Sequence, residues 1–430
     1  MELGAILSEW NAYALRRKLH ARDLDLDALA RTTRTKLAVL TGIRRSGKSS
    51  ALMLLAQKLA ASGERVAYVN VEDSRLRDRP DLLDGLIKWF GDEGYLLLDE
   101  VTATRGWEGW LARTHEMLKG SLRLVVSSSR RAFARPSKDL RGRTLEFELF
   151  PLSFREFLDF RGIEVEPTTS GRGKVERALE EYLQFGGFPE VVLAPDATDK
   201  VNILNSYLRD IVGIDVAEVS GEGLSSVQTF GRYVLQSPYF SASKCLNFFK
   251  SAGYAIGKDK LLELERLTQD SYLFHFLPIL SKGVKARHLY PRKAYSGDTG
   301  FHYATNGTNE PGRLYENAVF LELRRAARGG SALHYWRDKE GREVDLIVGG
   351  DGKVQEALQV SYQVTDERIF RRETEGLVRC AEELEPGRST LITRSGTDAR
   401  KIEGLGVREV SLVDWLLASK NTSPPSRDPP

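Results

Sequence analysis

From Leu37 to Ser50 the chain reads Leu-Ala-Val-Leu-Thr-Gly-Ile-Arg-Arg-Ser-Gly-Lys-Ser-Ser, and the spacing from Gly42 to Gly47-Lys48-Ser49 fits GxxxxGK[ST]. Phosphate binding needs this pattern. The loop Gly42, Ile43, Arg44, Arg45, Ser46 and Gly47 can turn its backbone N–H groups inward, and Lys48, Ser49 and Ser50 open a helix whose positive end adds to them. On this reading Lys48 holds the β- and γ-phosphates of ATP and Ser49 a Mg²⁺ ion. Some fifty residues later, Tyr95-Leu-Leu-Leu-Asp-Glu100 ends an apolar run in two carboxylates. Asp99 would contact the metal, usually through water, and Glu100 would act as general base on the attacking water. A third apolar run, Arg123-Leu-Val-Val-Ser-Ser-Ser129, ends in hydroxyls, of which Ser127 or Ser128 is the candidate γ-phosphate sensor; a serine-rich turn that merely ends the strand is the other reading. Arg141 or Arg143, in the basic turn Leu140-Arg-Gly-Arg143, could serve as an arginine finger reaching a neighbour's γ-phosphate.

These side chains need a scaffold that delivers them to one edge. Leu37 to Leu40 reads as a buried strand, and Ala51-Leu-Met-Leu-Leu-Ala-Gln-Lys-Leu-Ala60 as a helix of strong formers. Arg65 to Asn70, the amphipathic segment from Leu82 to Phe90, and the two later apolar runs continue the alternation, which predicts a parallel sheet with crossover helices. Before it, residues 1–35 place Leu3, Ile6, Leu7 and Trp10 at helical spacing.

The ordered set Gly42–Ser49, Asp99-Glu100 followed by Gly106-Trp-Glu-Gly-Trp110, Leu140-Arg-Gly-Arg143, Phe150-Pro-Leu-Ser-Phe-Arg-Glu-Phe157 and Tyr182-Leu-Gln-Phe-Gly-Gly-Phe-Pro-Glu190 resembles the prokaryotic AAA+ ATPases of the AAA_14 type that carry a C-terminal DUF4143 domain. The resemblance spans nearly the whole chain. It implies an α/β fold: an N-terminal helical lead-in over residues 1–35, a P-loop AAA+ core over 36–150, a helical lid over 151–225, a winged helix over 226–300, a restriction-endonuclease-like domain over 301–418 and a disordered tail over 419–430.

Within the lid region, Gly186-Gly187-Phe188-Pro189 reads as a tight turn with a structural role. Helical segments ending at Gly253 and spanning 257–270 suit a helix-turn-helix, and a following basic wing would hold Lys282, Lys285, Arg287, Arg292 and Lys293 for DNA phosphates. Asp259, Glu263 and Glu265 on the would-be recognition helix oppose a duplex backbone. Further on, helix 313–328, strands 333–337, 343–348 and 354–362, helix 365–384 and strand 389–393 follow the order of a PD-(D/E)xK nuclease, in which acids hold Mg²⁺. Glu316 and Asp345 match two of its positions, but the Glu-x-Lys pair is Gln359-Val-Ser361, so metal affinity should fall and the nuclease fold should be degenerate.

Composition sets the outer bounds. At 430 residues, several domains are expected, and 63 Lys+Arg against 60 Asp+Glu leave a net charge of +3, so only local clustering can favour a nucleic acid. Cys245 and Cys380 lack any metal-ligand spacing, and no apolar run reaches 18 residues, which together lead us to expect a cytoplasmic protein without a membrane partner. Three functions stay open at this level: an ATPase acting on DNA, possible as a homo-oligomer; an ATP-dependent nuclease; and a slow ATP-dependent switch that recruits a protein.

Overall fold

A computed structural model describes residues 2–130, 138–281, 290–307, 310–327, 332–350, 353–362, 367–395 and 406–418. The chain divides into two compact units, Met1–Pro151 with Asp270–Tyr272, and Leu152–Gln269 with Leu273–Pro430.

The first unit is built on a five-stranded parallel sheet. Its elements are α1 (Leu3–Arg16), α2 (Leu26–Thr32), β1 (Leu37–Thr41), α3 (Lys48–Ala61), β2 (Val66–Asn70), α4 (Leu82–Phe90), β3 (Gly94–Asp99), α5 (Trp107–Met117), β4 (Leu122–Ser128) and β5 (Thr144–Glu148). The strand order is β2-β3-β4-β1-β5, with every pairing parallel. All five residues of β1 are buried because both faces of the sheet are covered. Leu37 and Val39 pack with Leu82 and Leu86 of α4 and Leu111 of α5, while Ala38 and Leu40 pack with Leu52, Leu55 and Ala56 of α3. The edge strand β2 is covered as well: Ile6 and Leu7 of α1 join the first of these cores, and Asn11 Oδ1 accepts the amide of Tyr68 at 3.1 Å. The carboxyl ends of β1, β3 and β4 therefore meet at one edge, where an open α/β sheet binds its ligand.

The second unit begins with helices, among them Phe154–Phe160, Thr169–Phe185 and Ala197–Asp210. Gly186 and Gly187 follow the second of these. Gly186 has φ 77°, and a Cβ there would overlap Asp298 Oδ1 at 1.6 Å, so the turn tolerates no side chain. Asp298 fastens it by accepting the Gly187 amide at 2.8 Å and the Gly300 amide at 2.9 Å. Helices Leu224–Gln236, Ala242–Ser251 and Lys258–Asp270 come next, with an antiparallel sheet ordered β6-β8-β7 (Tyr239–Phe240, Arg292–Ser296, Phe274–Leu277). Helix Pro311–Ala326 leads to a mixed five-stranded sheet, β13-β12-β11-β10-β9. Its strands are β9 (Ala332–Arg337), β10 (Glu343–Gly350), β11 (Lys353–Val360), β12 (Arg388–Thr393) and β13 (Val407–Ser411), and helix Glu367–Leu384 covers it through Phe370, Leu377 and Cys380. The sequence pattern anticipates this order as far as β12; β13 and helix Leu412–Ala418 extend it.

Among the described residues no helix is long and apolar enough to cross a membrane.

Candidate functional site

The loop from Gly42 to Gly47 leaves β1 under two local constraints. At Gly42 (φ 141°) a Cβ would stand 2.1 Å from the Leu149 carbonyl oxygen, and at Gly47 (φ 100°) the chain is left-handed just before α3 begins. Arg45 also adopts positive φ, 72°, and is exposed, whereas Arg44 turns to Glu72 at 3.2 Å. Ile43 is buried. Arg22, from the segment between α1 and α2, anchors the loop by donating to the Ser46 carbonyl at 2.6 Å and to the Phe150 carbonyl at 2.9 Å. Residues 24 and 128 positions away meet there, so nothing local in the sequence announces Arg22.

Lys48 is 4 % exposed. Its Nζ donates to the Gly42 and Ile43 carbonyls at 3.0 and 3.2 Å and stands 3.5 Å from Glu100 Oε1. Ser46 Oγ is fully buried, yet has no hydrogen-bond partner among the described residues. A buried hydroxyl without a partner is costly, and a phosphate oxygen is the kind of acceptor that would relieve it.

β3 delivers the carboxylates. Asp99 is completely buried; Ser127 Oγ donates to its Oδ1 and Tyr68 OH donates to its Oδ2 at 2.8 Å, and the Ser49 hydroxyl at the start of α3 is near enough to lower its pKa. Burial, and next the neighbouring Glu100, push its pKa up, against the pull of the three hydroxyls. Glu100 turns through φ 52°, an uncommon conformation for a residue other than glycine. Its Oε2 accepts from the Ser129 amide at 2.9 Å and the Ser129 hydroxyl at 3.1 Å, and its own amide donates to Ser127 Oγ at 2.9 Å. Lys48, Ser49, Asp99 and Glu100 thus form one connected group.

Ser128 does not belong to it. Its Oγ lies 3.3 Å from Thr102 Oγ1 and bonds to the backbone of Arg130, because residues 127 and 129 share one side of the chain and 128 takes the other. The hydroxyls facing the carboxylates are those of Ser127 and Ser129. Arg141 and Arg143 lie at the opposite end of the sheet, since the Arg143 carbonyl pairs with the Leu37 amide at the start of β1. Arg143 is engaged by the Asp139 carbonyl at 2.7 Å and by Glu116 at 3.3 Å; Arg141 is exposed.

In the second unit the basic wing requires correction. Lys282, Lys285 and Arg287 lie outside the described residues. Arg292 is paired with Glu265, with contacts of 2.5 and 2.8 Å. Lys293 is 4 % exposed and points inward from β8 to Asp345, Glu343 and Glu316 at 2.6, 2.8 and 2.9 Å. Lys293 is not available to a DNA phosphate, because strand alternation carries it into the interior, and Arg292, though partly exposed, is engaged by the buried Glu265. Glu265, in turn, faces Arg292 and is 5 % exposed, so it does not present its charge to a duplex. Gln359 turns its amide to Glu373 at 2.9 Å and its carbonyl to the Asp345 amide at 3.2 Å, and Ser361 donates its amide to Ile392 at 2.9 Å.

Comparison with known proteins agrees with the layout of the first unit. Residues 34–158 match the model of an AAA domain (AAA_14), residues 176–312 a domain of unknown function (DUF8612) and residues 311–412 a domain of unknown function (DUF4143). The chain is 28 % identical over 363 residues to the uncharacterized protein MJ1544 of Methanocaldococcus jannaschii, covering 82 % of this chain and 80 % of that one. It is 27 % identical over 404 residues to an uncharacterized protein of Haemophilus influenzae, covering 89 % and 94 %. Among solved structures it is similar to the replication initiator DnaA bound to AMPPCP and single-stranded DNA, at 17 % identity, 60 % of this chain, 92 % of that chain and a TM-score of 0.29. The chain therefore carries on its parallel α/β sheet a segment that matches the AAA domain model (AAA_14), followed by segments that match DUF8612 and DUF4143.

Proposed function

We propose that the chain is an AAA+ ATPase that binds ATP on the Gly42–Ser50 loop and hydrolyses it to ADP and phosphate. The observation that carries this reading is the meeting of Lys48 with Glu100 at 3.5 Å at the carboxyl edge of the sheet, on a loop whose buried Ser46 hydroxyl has no partner among the described residues. Phosphate oxygens would replace the loop carbonyls that Lys48 now contacts, and the loop amides would share the charge. Glu100 would take a proton from water as its oxygen attacks the γ-phosphorus and the bond to the ADP oxygen breaks. Ser127 and Ser129 hold the two carboxylates at their stations.

Mg²⁺ fits the donor set, for the Ser49 hydroxyl and the Asp99 carboxylate are hard oxygen ligands close enough for the one to lower the pKa of the other. When bound, the ion would neutralise phosphate charge. Arg141 is the finger candidate, as an exposed cation too far along the sheet to serve its own loop: β1 alone spans about 15 Å. That role requires a homo-oligomer.

The finer domain scheme belongs to the same proposal: lead-in 1–35, core 36–150, lid 151–225, winged helix 226–300 and restriction-endonuclease-like domain 301–418, in a cytoplasmic protein. DNA binding has lost Lys293 as support, and rests on Lys282, Lys285 and Arg287 with Arg292 as a cation already engaged by Glu265. Measuring ATP turnover with duplex DNA, with single-stranded DNA and without either, while recording assembly state in ATP, tests the coupling. Stimulation by DNA with assembly supports a DNA-acting motor; near-stoichiometric turnover indifferent to DNA supports a switch that recruits a protein; absence of hydrolysis contradicts the ATPase.

A further inference from the structure

The nuclease-like order of elements in the C-terminal region implies a divalent cation held by Glu316 and Asp345, and the side chains there do not fit one. Three carboxylates from two elements converge on a single point: Glu316 from helix Pro311–Ala326, and Glu343 and Asp345 from β10. Lys293 Nζ stands at that point. It lies 2.9 Å from Glu316 Oε1, 2.8 Å from Glu343 Oε1 and 2.6 Å from Asp345 Oδ1, so each of the three N–H donors of an ammonium has its own acceptor. These are lengths of charge-assisted hydrogen bonds, longer than the 2.0–2.1 Å or so of Mg²⁺–oxygen ligation.

Further lone pairs on each of the three acids are committed too. Asp345 Oδ2 accepts the Val360 amide at 2.9 Å, Glu316 Oε1 accepts Tyr295 OH at 2.6 Å, and Glu343 accepts Tyr239 OH. Gln359, where a second acid would stand in a nuclease, spends its amide on Glu373 instead. Lys293 itself, on β8, is separated in sequence from the Gln359-Val-Ser361 stretch in which a nuclease lysine is sought, and its side chain is 5 % exposed.

We propose that Lys293 is the permanent cation of this cluster: its ammonium takes the place of the metal, ties β8 to β10 and to helix Pro311–Ala326, and excludes divalent cations from the carboxylates. The cluster then serves as an internal ionic joint and not as a hydrolytic centre. This holds whether or not the AAA domain turns over ATP.

The test counts Mn²⁺ bound to the full chain without nucleotide, by paramagnetic resonance of the free ion, for wild type, Asp345→Asn, Lys293→Met and the double variant. Wild type and Asp345→Asn should bind equal numbers. Lys293→Met should gain one Mn²⁺ per chain, lost again in the double variant, and its thermal midpoint should rise with Mn²⁺ where that of wild type does not. One equivalent bound by wild type and missing in Asp345→Asn would overturn the proposal, and that comparison does not depend on Lys293→Met folding. A folded Lys293→Met that gains no ion would overturn it equally.

Discussion

Glu100 is held from two sides, by Lys48 at its Oε1 and by the amide and hydroxyl of Ser129 at its Oε2. The carboxylate therefore has a fixed direction before any substrate arrives, and Ser129 acts on the chemistry only through Glu100. Replacing Ser129 by Ala removes one of the two donors and keeps the amide, a loss of about 1.5 kcal/mol, the low end for a hydrogen bond to a charged group, since the amide remains. We expect kcat for ATP to fall roughly 10-fold with KM unchanged, and Ser129→Thr to restore most of it. A change in KM alone would assign Ser129 to binding. Ser128→Ala should leave both constants near wild type, since its hydroxyl faces Thr102 and Arg130. The sequence shows three consecutive serines and cannot tell them apart; which of them face β3 depends on strand pairing, not on residue type.

At the scale of elements, the turn Gly186-Gly187 and the buried Asp298 form one fastening in the second unit. Burial drives the Asp298 carboxyl up to about 7, although the Gly187 and Gly300 amides oppose the shift. A carboxyl whose folded pKa exceeds its unfolded value binds more protons when folded, so its contribution is intact below about pH 4 and is lost as pH rises towards 7. At ~1.4 kcal/mol per pKa unit, the loss is at most about 4 kcal/mol. Denaturant unfolding at pH 5, 6 and 7.5 should show wild type weakening along this series. Asp298→Asn should be weaker at pH 5, because one acceptor becomes a donor facing an amide, and should have a flatter dependence; an equally steep variant would show that the slope arises elsewhere.

Elements of this kind were legible to different degrees. The β1–loop–α3 unit is readable from Leu37–Leu40 and the glycines, because local spacing and burial agree. Lys293 reads from sequence as part of a surface wing, because Lys and Arg are packed into a short stretch, and only the pairing of β8 with β6 and β7, together with the acids of β10, makes it an interior residue. Arg22 was unreadable for the same reason, its partners being distant in sequence.

On the scale of the whole molecule, a finger at Arg141 makes hydrolysis a property of an assembly. Its exposure at the amino end of β5 presents it outward, while Arg143 is already bound to Glu116. Mixing inactive Glu100→Gln with inactive Arg141→Ala should then restore part of the ATPase, since one copy keeps its base and its neighbour supplies the arginine. No recovery in a mixture shown to co-assemble would remove Arg141 from that role.

The proposed ATPase depends on Glu100 as base beside a loop centred on Lys48. Its most direct test is to measure ATP binding and steady-state hydrolysis together for wild type and Glu100→Gln. We predict that the variant binds ATP within a few-fold of wild type while its kcat falls by about 10²-fold or more, the size expected when a positioned general base is lost. Equal turnover by Glu100→Gln and wild type, with both binding ATP, would contradict the account.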